Sequence, residues 1–166
     1  MKGNVLTIAG TDPSGGAGIQ ADIKTITAFK GFATSVITAL VAQNTMGVKS
    51  ISEVPVHFIE EQIDCVFDDI KIDSIKLGML HQPEIVELVS KKIKDYNLNV
   101  PVVLDPVMVA KSGDILLTES AILSLKTNIL PIAYIVTPNI PEAEIISGTK
   151  IVTDDDVLKA GEIILS

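Results

Sequence analysis

Residues 9–22, AGTDPSGGAGIQAD, connect a short apolar run to an amphipathic stretch. The apolar run, residues 5–9, has the composition of a fully buried strand, and residues 18–29 repeat apolar side chains at helical spacing. A glycine-rich connection from a buried strand to a helix is where ligands meet open α/β sheets. This segment therefore predicts an α/β protein that binds a small molecule.

Two phosphate-binding patterns can be tested on this segment, and both fail. The P-loop requires Lys-Ser or Lys-Thr after its last glycine, whereas Gly15 is followed by another glycine and an alanine. The dinucleotide fingerprint fits residues 16–21, but it also needs an acidic residue about twenty positions later to bind ribose. No Asp or Glu occurs between Asp22 and Glu53. The segment is better interpreted as a substrate floor than as a phosphate cradle.

Asp22 has two interpretations. Glycines let the backbone approach a ligand closely, and Asp22 lies about one turn inside the predicted helix. Its carboxylate is therefore placed to accept a hydrogen bond from a substrate hydroxyl. The alternative is a structural role, since a negative charge in the first turn is favoured by the helix dipole.

Strand and helix patterns alternate along the rest of the chain. Strands are predicted at residues 32–42, 74–77, 100–104 and 134–137, and helices at 55–70, 84–96, 119–129, 142–146 and from 153 onward. This alternation predicts a parallel sheet with helices on both faces. The helical pattern continues to Ser166 without a cap, so we expect residues 1–166 to be part of a single, larger domain.

Composition narrows the class of function. The 166 residues are 47% apolar, with a net charge of −8 and a mean hydropathy of +0.44, which indicates a folded protein. The acidic balance argues against a nucleic-acid surface, and no apolar run reaches membrane-spanning length. Cys65 is the single cysteine, lies opposite the apolar stripe of its helix and cannot form an internal disulfide. We expect a cytoplasmic protein without nucleic-acid or membrane partners.

Six segments in order resemble one known family: LTIAGTDPSGGAGIQADIKT, SVITALVAQNT, KLGML, VVLDPVM, AKSGD and TPNIPEA. Together they resemble the hydroxymethylpyrimidine/phosphomethylpyrimidine kinases of thiamine biosynthesis, of the ribokinase-like superfamily. The resemblance covers essentially the whole chain. It implies a three-layer αβα fold with a mostly parallel central sheet. It also implies a homodimer that uses Mg2+ and ATP to phosphorylate 4-amino-5-hydroxymethyl-2-methylpyrimidine and then its monophosphate.

The resemblance assigns five residues to a pyrimidine pocket. Gln43 matches the family glutamine that binds the ring. A carboxamide suits this role, since it can hydrogen-bond to one donor and one acceptor on an aminopyrimidine edge. Met79 and Val107 resemble the apolar walls against the ring. Gly10 brings backbone to the pocket floor, and Asp22 faces the hydroxymethyl group. The structural alternatives are a solvent-facing strand end for Gln43 and ordinary core for Met79.

Four further residues are expected at the phosphates. Asp105 ends a predicted strand and resembles the superfamily acidic residue near Mg·ATP, and a single Asp suffices because Mg2+ keeps most of its waters. Asn139 and Glu142 resemble the N-x-x-E element that tunes Mg2+ and phosphate binding, although the same spacing is also a helix capping box. Lys111, in a Ser-Gly-Asp loop, is a candidate phosphate contact or a solvated lysine.

The resemblance also implies what this sequence lacks. The family's glycine-rich anion hole, its catalytic base and most of its adenine pocket belong to a C-terminal region absent from residues 1–166. We therefore expect no catalytic base in this chain and little or no kinase activity from it alone, since phosphoryl transfer depends on positioning and charge neutralisation. Two alternatives stay open. One is a pyridoxal or pyridoxine kinase, whose relatives tend to carry Met in place of Gln43, and the other is a non-catalytic pyrimidine-binding module.

Overall fold

The computed structural model describes residues 2–96, 98–108 and 117–166. The strands within these ranges are β1 (Asn4–Ala9), β2 (Phe32–Ile37), β3 (Ala39–Asn44), β4 (Gly47–Glu53), β5 (Ser74–Leu77), β6 (Val102–Leu104) and β7 (Ile135–Val136). The helices are α1 (Gly18–Ala28), α2 (Val56–Asp69), α3 (Pro83–Asp95), α4 (Glu119–Asn128), α5 (Ile140–Ser147) and α6 (Asp154–Leu165), and a 3-10 turn covers Leu130–Ile132.

The central sheet of the described residues has five parallel strands in the order β2-β1-β5-β6-β7. The chain passes from β1 through α1 to β2 on one side of β1, and it later returns with β5 on the other side. Strand order therefore reverses beside β1. In open α/β sheets, ligands bind in the crevice at the carboxyl ends of the strands at such a reversal.

The alternation of side chains along β1 separates the two faces of the sheet. Leu6 and Ile8 are fully buried on one face, where they pack with the apolar stripes of α2, α3 and α4. Thr7 points to the opposite face and hydrogen-bonds to α1. Burial of each large aliphatic side chain contributes roughly 1.5–3 kcal/mol, so the first face supplies most of the core. The predicted α/β fold with helices on both faces of a parallel sheet is confirmed.

The single strand predicted at residues 32–42 is wrong. The chain bends at Thr38, and the second half pairs antiparallel with β4, which the sequence did not predict. The Thr38 amide donates to the carbonyl of Ala9 (3.0 Å), and its hydroxyl donates to the carbonyl of Met79 (2.7 Å). These tertiary bonds fix the bend, whereas β-propensity only registers that the whole stretch is extended.

The other predicted elements are confirmed in type, with ends that shift by one or two residues or slightly more. Strand β5 has the predicted bounds, and Thr153 caps α6 ahead of the three aspartates in its first turn. Cys65 is exposed on α2. None of the helices in the described part of the chain is long and apolar enough to cross a membrane.

Candidate active site

A cavity of about 840 Å3 opens at the carboxyl edge of the sheet, beside the reversal of strand order. The ends of β1, β5, β6 and β7, the start of α1 and the β3–β4 hairpin surround it. It brings together eight of the nine predicted site residues: Gly10, Asp22, Gln43, Met79, Asp105, Val107, Asn139 and Glu142. Lys111, the ninth, lies outside the described residues.

The floor and one wall of the cavity are apolar. Met79 is buried against Ala39 and Val41 of the hairpin, and Val107 packs on the same cluster. A Cβ at Gly10 would lie 2.6 Å from the Cε of Met79, so the absence of a side chain at Gly10 lets the thioether lie over the end of β1. Met79 is thus both core and cavity lining, and its flexible side chain suits contact with a flat ring.

Asp12, which the sequence reasoning missed, is the hub of the glycine-rich loop. It is only 3% exposed, and its carboxylate accepts hydrogen bonds from the amide and hydroxyl of Ser14 and from the amides of Gly16 and Ala17, at 2.7–3.0 Å. The Gln43 side chain donates to it as well. Burial raises the pKa of Asp12, but the bonds from Gln43, Ser14 and Ala17 outweigh burial and lower that pKa to about 2. Asp12 is therefore an ionised anchor at neutral pH.

Several backbone donors around the start of α1 are consequently occupied. Two of them bind Asp12, and the Ile19 amide donates to the carbonyl of Gly10 (3.0 Å). Gly18 has φ +56°, and a Cβ there would lie 2.5 Å from the same carbonyl oxygen. With the amides of Gly16, Ala17 and Ile19 bonded within the protein, the start of α1 has fewer donors to offer a phosphate. This geometry supports the interpretation of the loop as a substrate floor.

Gln43 is held at the edge of this floor. A register irregularity between Ala42 and Gln43 interrupts the hairpin, and such bulges turn a side chain away from the regular pattern. The carboxamide lies near the Asp12 carboxylate and helps to lower its pKa. Because a carboxamide has a second N–H and a carbonyl oxygen, it can still donate once and accept from one ring edge.

Lys76, also missed, joins the two ends of the cavity. The Oδ2 atom of Asp22 accepts hydrogen bonds from the Thr7 hydroxyl (2.6 Å) and the Lys76 ammonium (3.1 Å). The same ammonium lies 3.6 Å from Oδ2 of Asp105. Thr7 and Lys76 are neighbours across the β1–β5 ladder, so the sheet register places both on the α1 side. A charged residue in the middle of a short buried strand was the signal that could have revealed Lys76.

The first turn of α5 forms the other end of the cavity. The Asn139 side chain accepts from the amide of Glu142 (3.0 Å), and Glu142 Oε2 accepts from the amide of Asn139 (2.9 Å). Glu142 Oε1 accepts from the amide of Met108 (3.4 Å). Burial raises the pKa of Glu142, and the nearby charge of Asp105 acts in the same direction. Asn139 and Glu142 therefore form the helix capping box that their spacing also predicts, and Asp105 lies near it.

The donors at this end fit a hydrated Mg2+. The Asp105 side chain is 41% exposed in the cavity, and carboxylate oxygen is the ligand that Mg2+ prefers. Each Glu142 oxygen accepts one backbone hydrogen bond and has a second lone pair. No group of three or more His, Cys, Asp or Glu suited to a metal occurs among the described residues, but Mg2+ bound with ATP needs only one or two carboxylates.

Comparison with known proteins agrees with this geometry. The sequence model of the family described as phosphomethylpyrimidine kinase matches residues 12–166. The chain belongs to the phosphomethylpyrimidine kinase family. The family predicted from the six sequence segments is thus confirmed.

Individual relatives within and beyond this family have the same fold. The hydroxymethylpyrimidine/phosphomethylpyrimidine kinase of Escherichia coli is 49% identical over 164 residues, 98% of this chain and 61% of the relative. The crystal structure of a phosphomethylpyrimidine kinase from Clostridium difficile superposes with a TM-score of 0.91 at 49% identity, covering 99% of this chain and 71% of that one. A Bacillus subtilis pyridoxal kinase in complex with ADP gives 0.89 at 36% identity, covering 98% and 62%. The chain thus spans about three fifths of the length of the E. coli relative.

Proposed function

We propose that this chain provides the acceptor pocket of an ATP-dependent kinase of thiamine biosynthesis. Its acceptors are 4-amino-5-hydroxymethyl-2-methylpyrimidine and the monophosphate of that alcohol. The observation that carries the proposal is the Gln43 carboxamide, which lies in the cavity with the ionised Asp12 and an apolar wall. The name of the E. coli relative, hydroxymethylpyrimidine/phosphomethylpyrimidine kinase, supports it.

The pocket residues divide the work of binding. Met79 and Val107 contact the faces of the ring, and Gln43 reads its amino group and adjacent ring nitrogen. Asp22 accepts a hydrogen bond from the hydroxymethyl group. That bond holds the acceptor oxygen on the side of the cavity where Lys76 and Asp105 lie. A kinase gains much of its rate from such positioning, because the phosphoryl transition state requires little covalent help from the protein.

We further propose that Asp105 and Glu142 hold Mg2+ and that Asn139 contacts phosphate. When bound, Mg2+ neutralises negative charge on the phosphate oxygens of ATP. Asp105 offers an exposed carboxylate, and Glu142 keeps the first turn of α5 beside it through the capping box. Lys111 remains a proposed phosphate contact. We place the catalytic base outside residues 1–166 and propose a homodimer in the cytoplasm, as the family resemblance implies.

The acceptor assignment is tested by Gln43→Ala in the protein expressed from its natural gene. Calorimetry without ATP should show the pyrimidine alcohol binding about 1–3 kcal/mol more weakly, because the ring loses a paired donor and acceptor. Ser50→Ala is a matched control, since Ser50 is exposed on the same hairpin and does not line the cavity. Equal affinity of the wild-type protein and Gln43→Ala would remove the main support for a pyrimidine acceptor.

The likeness to pyridoxal kinases favours one alternative acceptor. Pyridoxal carries a hydroxymethyl group on an aromatic ring, and the B. subtilis pyridoxal kinase shares this fold. Turnover of both alcohols by the wild-type protein distinguishes the two kinases, and Gln43→Met should shift the ratio of kcat/KM toward pyridoxal. Ligand binding without turnover of either alcohol would instead indicate the non-catalytic pyrimidine-binding module.

A further inference from the structure

The charges around the cavity pose a problem for a phosphorylated acceptor. Among the described residues, four carboxylates line it, those of Asp12, Asp22, Asp105 and Glu142. A phosphate monoester adds about −1.5 to −2 charges at neutral pH. The neutral alcohol meets no such repulsion, so the two acceptors of the proposed function place different demands on the same site.

Lys76 is the one Lys or Arg that lines the cavity within the described part of the chain. Its ammonium lies between Asp22, beside the acceptor oxygen, and Asp105, at the phosphate end. A Cβ at Gly78 would lie 2.9 Å from this Nζ, so the glycine leaves space around the ammonium. The side chain is 22% exposed and can therefore meet a ligand.

A second lysine nearby, Lys24 of α1, does not line the cavity. Its ammonium donates to the carbonyl of Gly15 (2.9 Å). If Asp22 accepts from the hydroxymethyl group as proposed, a phosphate on that group that points toward Asp105 passes Lys76, whose ammonium lies 3.1 Å from Asp22 and 3.6 Å from Asp105. Lysine suits this position, since its compact ammonium carries three donors on a flexible stem and can exchange a carboxylate partner for a phosphate oxygen.

We propose that Lys76 binds the phosphate of the monophosphate acceptor and thereby determines that the site accepts a second phosphoryl group. This inference rests on the proposed function. In the second reaction, an oxygen of the bound monophosphate forms a bond to the γ-phosphorus of ATP. The bond from that phosphorus to the β-phosphate oxygen breaks, and ADP leaves. Lys76 transfers no proton in this step; it compensates the charge of the acceptor and holds the attacking oxygen.

The test compares Lys76→Met with Lys76→Arg in the protein expressed from its natural gene, using ATP and each acceptor separately. Lys76→Met should raise KM for the monophosphate at least about tenfold, the equivalent of one lost charge-assisted hydrogen bond. For the alcohol we expect a smaller rise in KM than for the monophosphate, because the neutral acceptor is affected only through the lost ammonium partner of Asp22. Lys76→Arg, which restores the charge, should recover most of the KM for the monophosphate.

The outcomes separate this inference from the proposed function. Equal losses on the two acceptors, or no selective rise in KM for the monophosphate, would overturn the role of Lys76 while leaving the kinase assignment intact. A wild-type protein that phosphorylates neither acceptor would overturn the proposed function itself.

A measurement on the wild-type protein covers the case in which Lys76→Met does not fold. Calorimetry should show the monophosphate binding within about tenfold of the alcohol, despite the four carboxylates, and losing affinity as salt rises. Binding more than about a hundredfold weaker than the alcohol would show that nothing in the site compensates the phosphate, and the inference would fail.

Discussion

The two helices that begin at the cavity start in different ways. Helix α5 has a local capping box in which Asn139 and Glu142 bond to each other's amides. Helix α1 has no side-chain bond from its N-cap residue, Ala17, and the amide of Ala17 donates instead to the carboxylate of Asp12, five residues earlier. Because Asp12 also interacts with Gln43 on the hairpin, the start of α1 is linked to the far wall of the cavity, whereas the start of α5 is largely self-contained.

Asp12 and Glu142, the carboxylates at these two helix starts, also differ in the direction of their pKa shifts. Asp12 and Glu142 are almost equally buried, 3% and 4% exposed, yet the pKa of Asp12 is lowered and that of Glu142 is raised. Burial raises both values. Asp12 accepts from three backbone amides, the Ser14 hydroxyl and the Gln43 carboxamide, whereas Glu142 accepts from two backbone amides and lies near Asp105. The number of hydrogen bonds donated to each carboxylate, rather than its burial, therefore decides which of the two has the lower pKa.

The largest expected effect is that of Gly18→Ala, which forces a Cβ against the Gly10 carbonyl at a positive φ. Urea unfolding should show a loss of about 3–4 kcal/mol, combining backbone strain and steric overlap. Gly161→Ala is the matched control. A Cβ at Gly161 meets nothing within 4 Å, and in the middle of α6 it should stabilise by about 0.5–1 kcal/mol. Similar losses from both substitutions would contradict the tight connection between β1 and α1.

Asp12→Asn should come next, with a loss of about 2–3 kcal/mol at pH 7, because the amides of Gly16 and Ala17 would face an amide group. The folded-state pKa of about 2 lies below the ordinary value of 3.8. The ionised Asp12 therefore stabilises the fold above about pH 4, and this advantage is lost as the pH falls from 3.8 toward 2. The difference in stability between wild type and Asp12→Asn should shrink over that range.

Urea unfolding at several pH values measures this difference. Asp155→Asn is the control, since Asp155 is exposed in the first turn of α6 and should change stability by only a few tenths of a kcal/mol. Asp12→Asn should also weaken binding of the pyrimidine alcohol, as Gln43 loses its anchor, while Asp155→Asn should not. A wild-type affinity in Asp12→Asn would break the proposed coupling between α1 and the pocket.

Glu142→Gln should have the smallest effect, about 1 kcal/mol at pH 7. Glutamine keeps one of the two accepted hydrogen bonds and removes a buried charge. The pKa of Glu142 is raised above 4.5, so the wild-type protein loses stability as the pH rises from that value through the folded-state pKa. Glu142→Gln should therefore cost more at pH 4 than at pH 7, the opposite trend to Asp12→Asn. If the stability loss changed with pH in the same direction in both variants, the predicted difference between Asp12 and Glu142 would be wrong.

Much of the fold and of the site could be predicted because their signals are local. The alternation of strand and helix patterns, the glycine-rich connection and the start of α6 at Thr153 depend on residues close together in sequence. Eight of the nine predicted site residues line the cavity, and the family resemblance, carried by short local motifs, supplied most of those assignments. The roles assigned to them stay predictions until they are measured.

The remaining features depend on partners far apart in the chain. The hairpin of β3 and β4 exists because Thr38 bonds to the ends of β1 and β5, and no local propensity records those bonds. Asp12 is evident in the sequence as a charged residue of the glycine-rich segment, but its partner Gln43 lies 31 residues away. Asp22 and Lys76 are 54 residues apart. The sequence by itself determined that a buried strand runs through a glycine-rich loop into a helix. Only the tertiary structure decided which charges meet around that loop, because the sheet register brings distant side chains within hydrogen-bond distance.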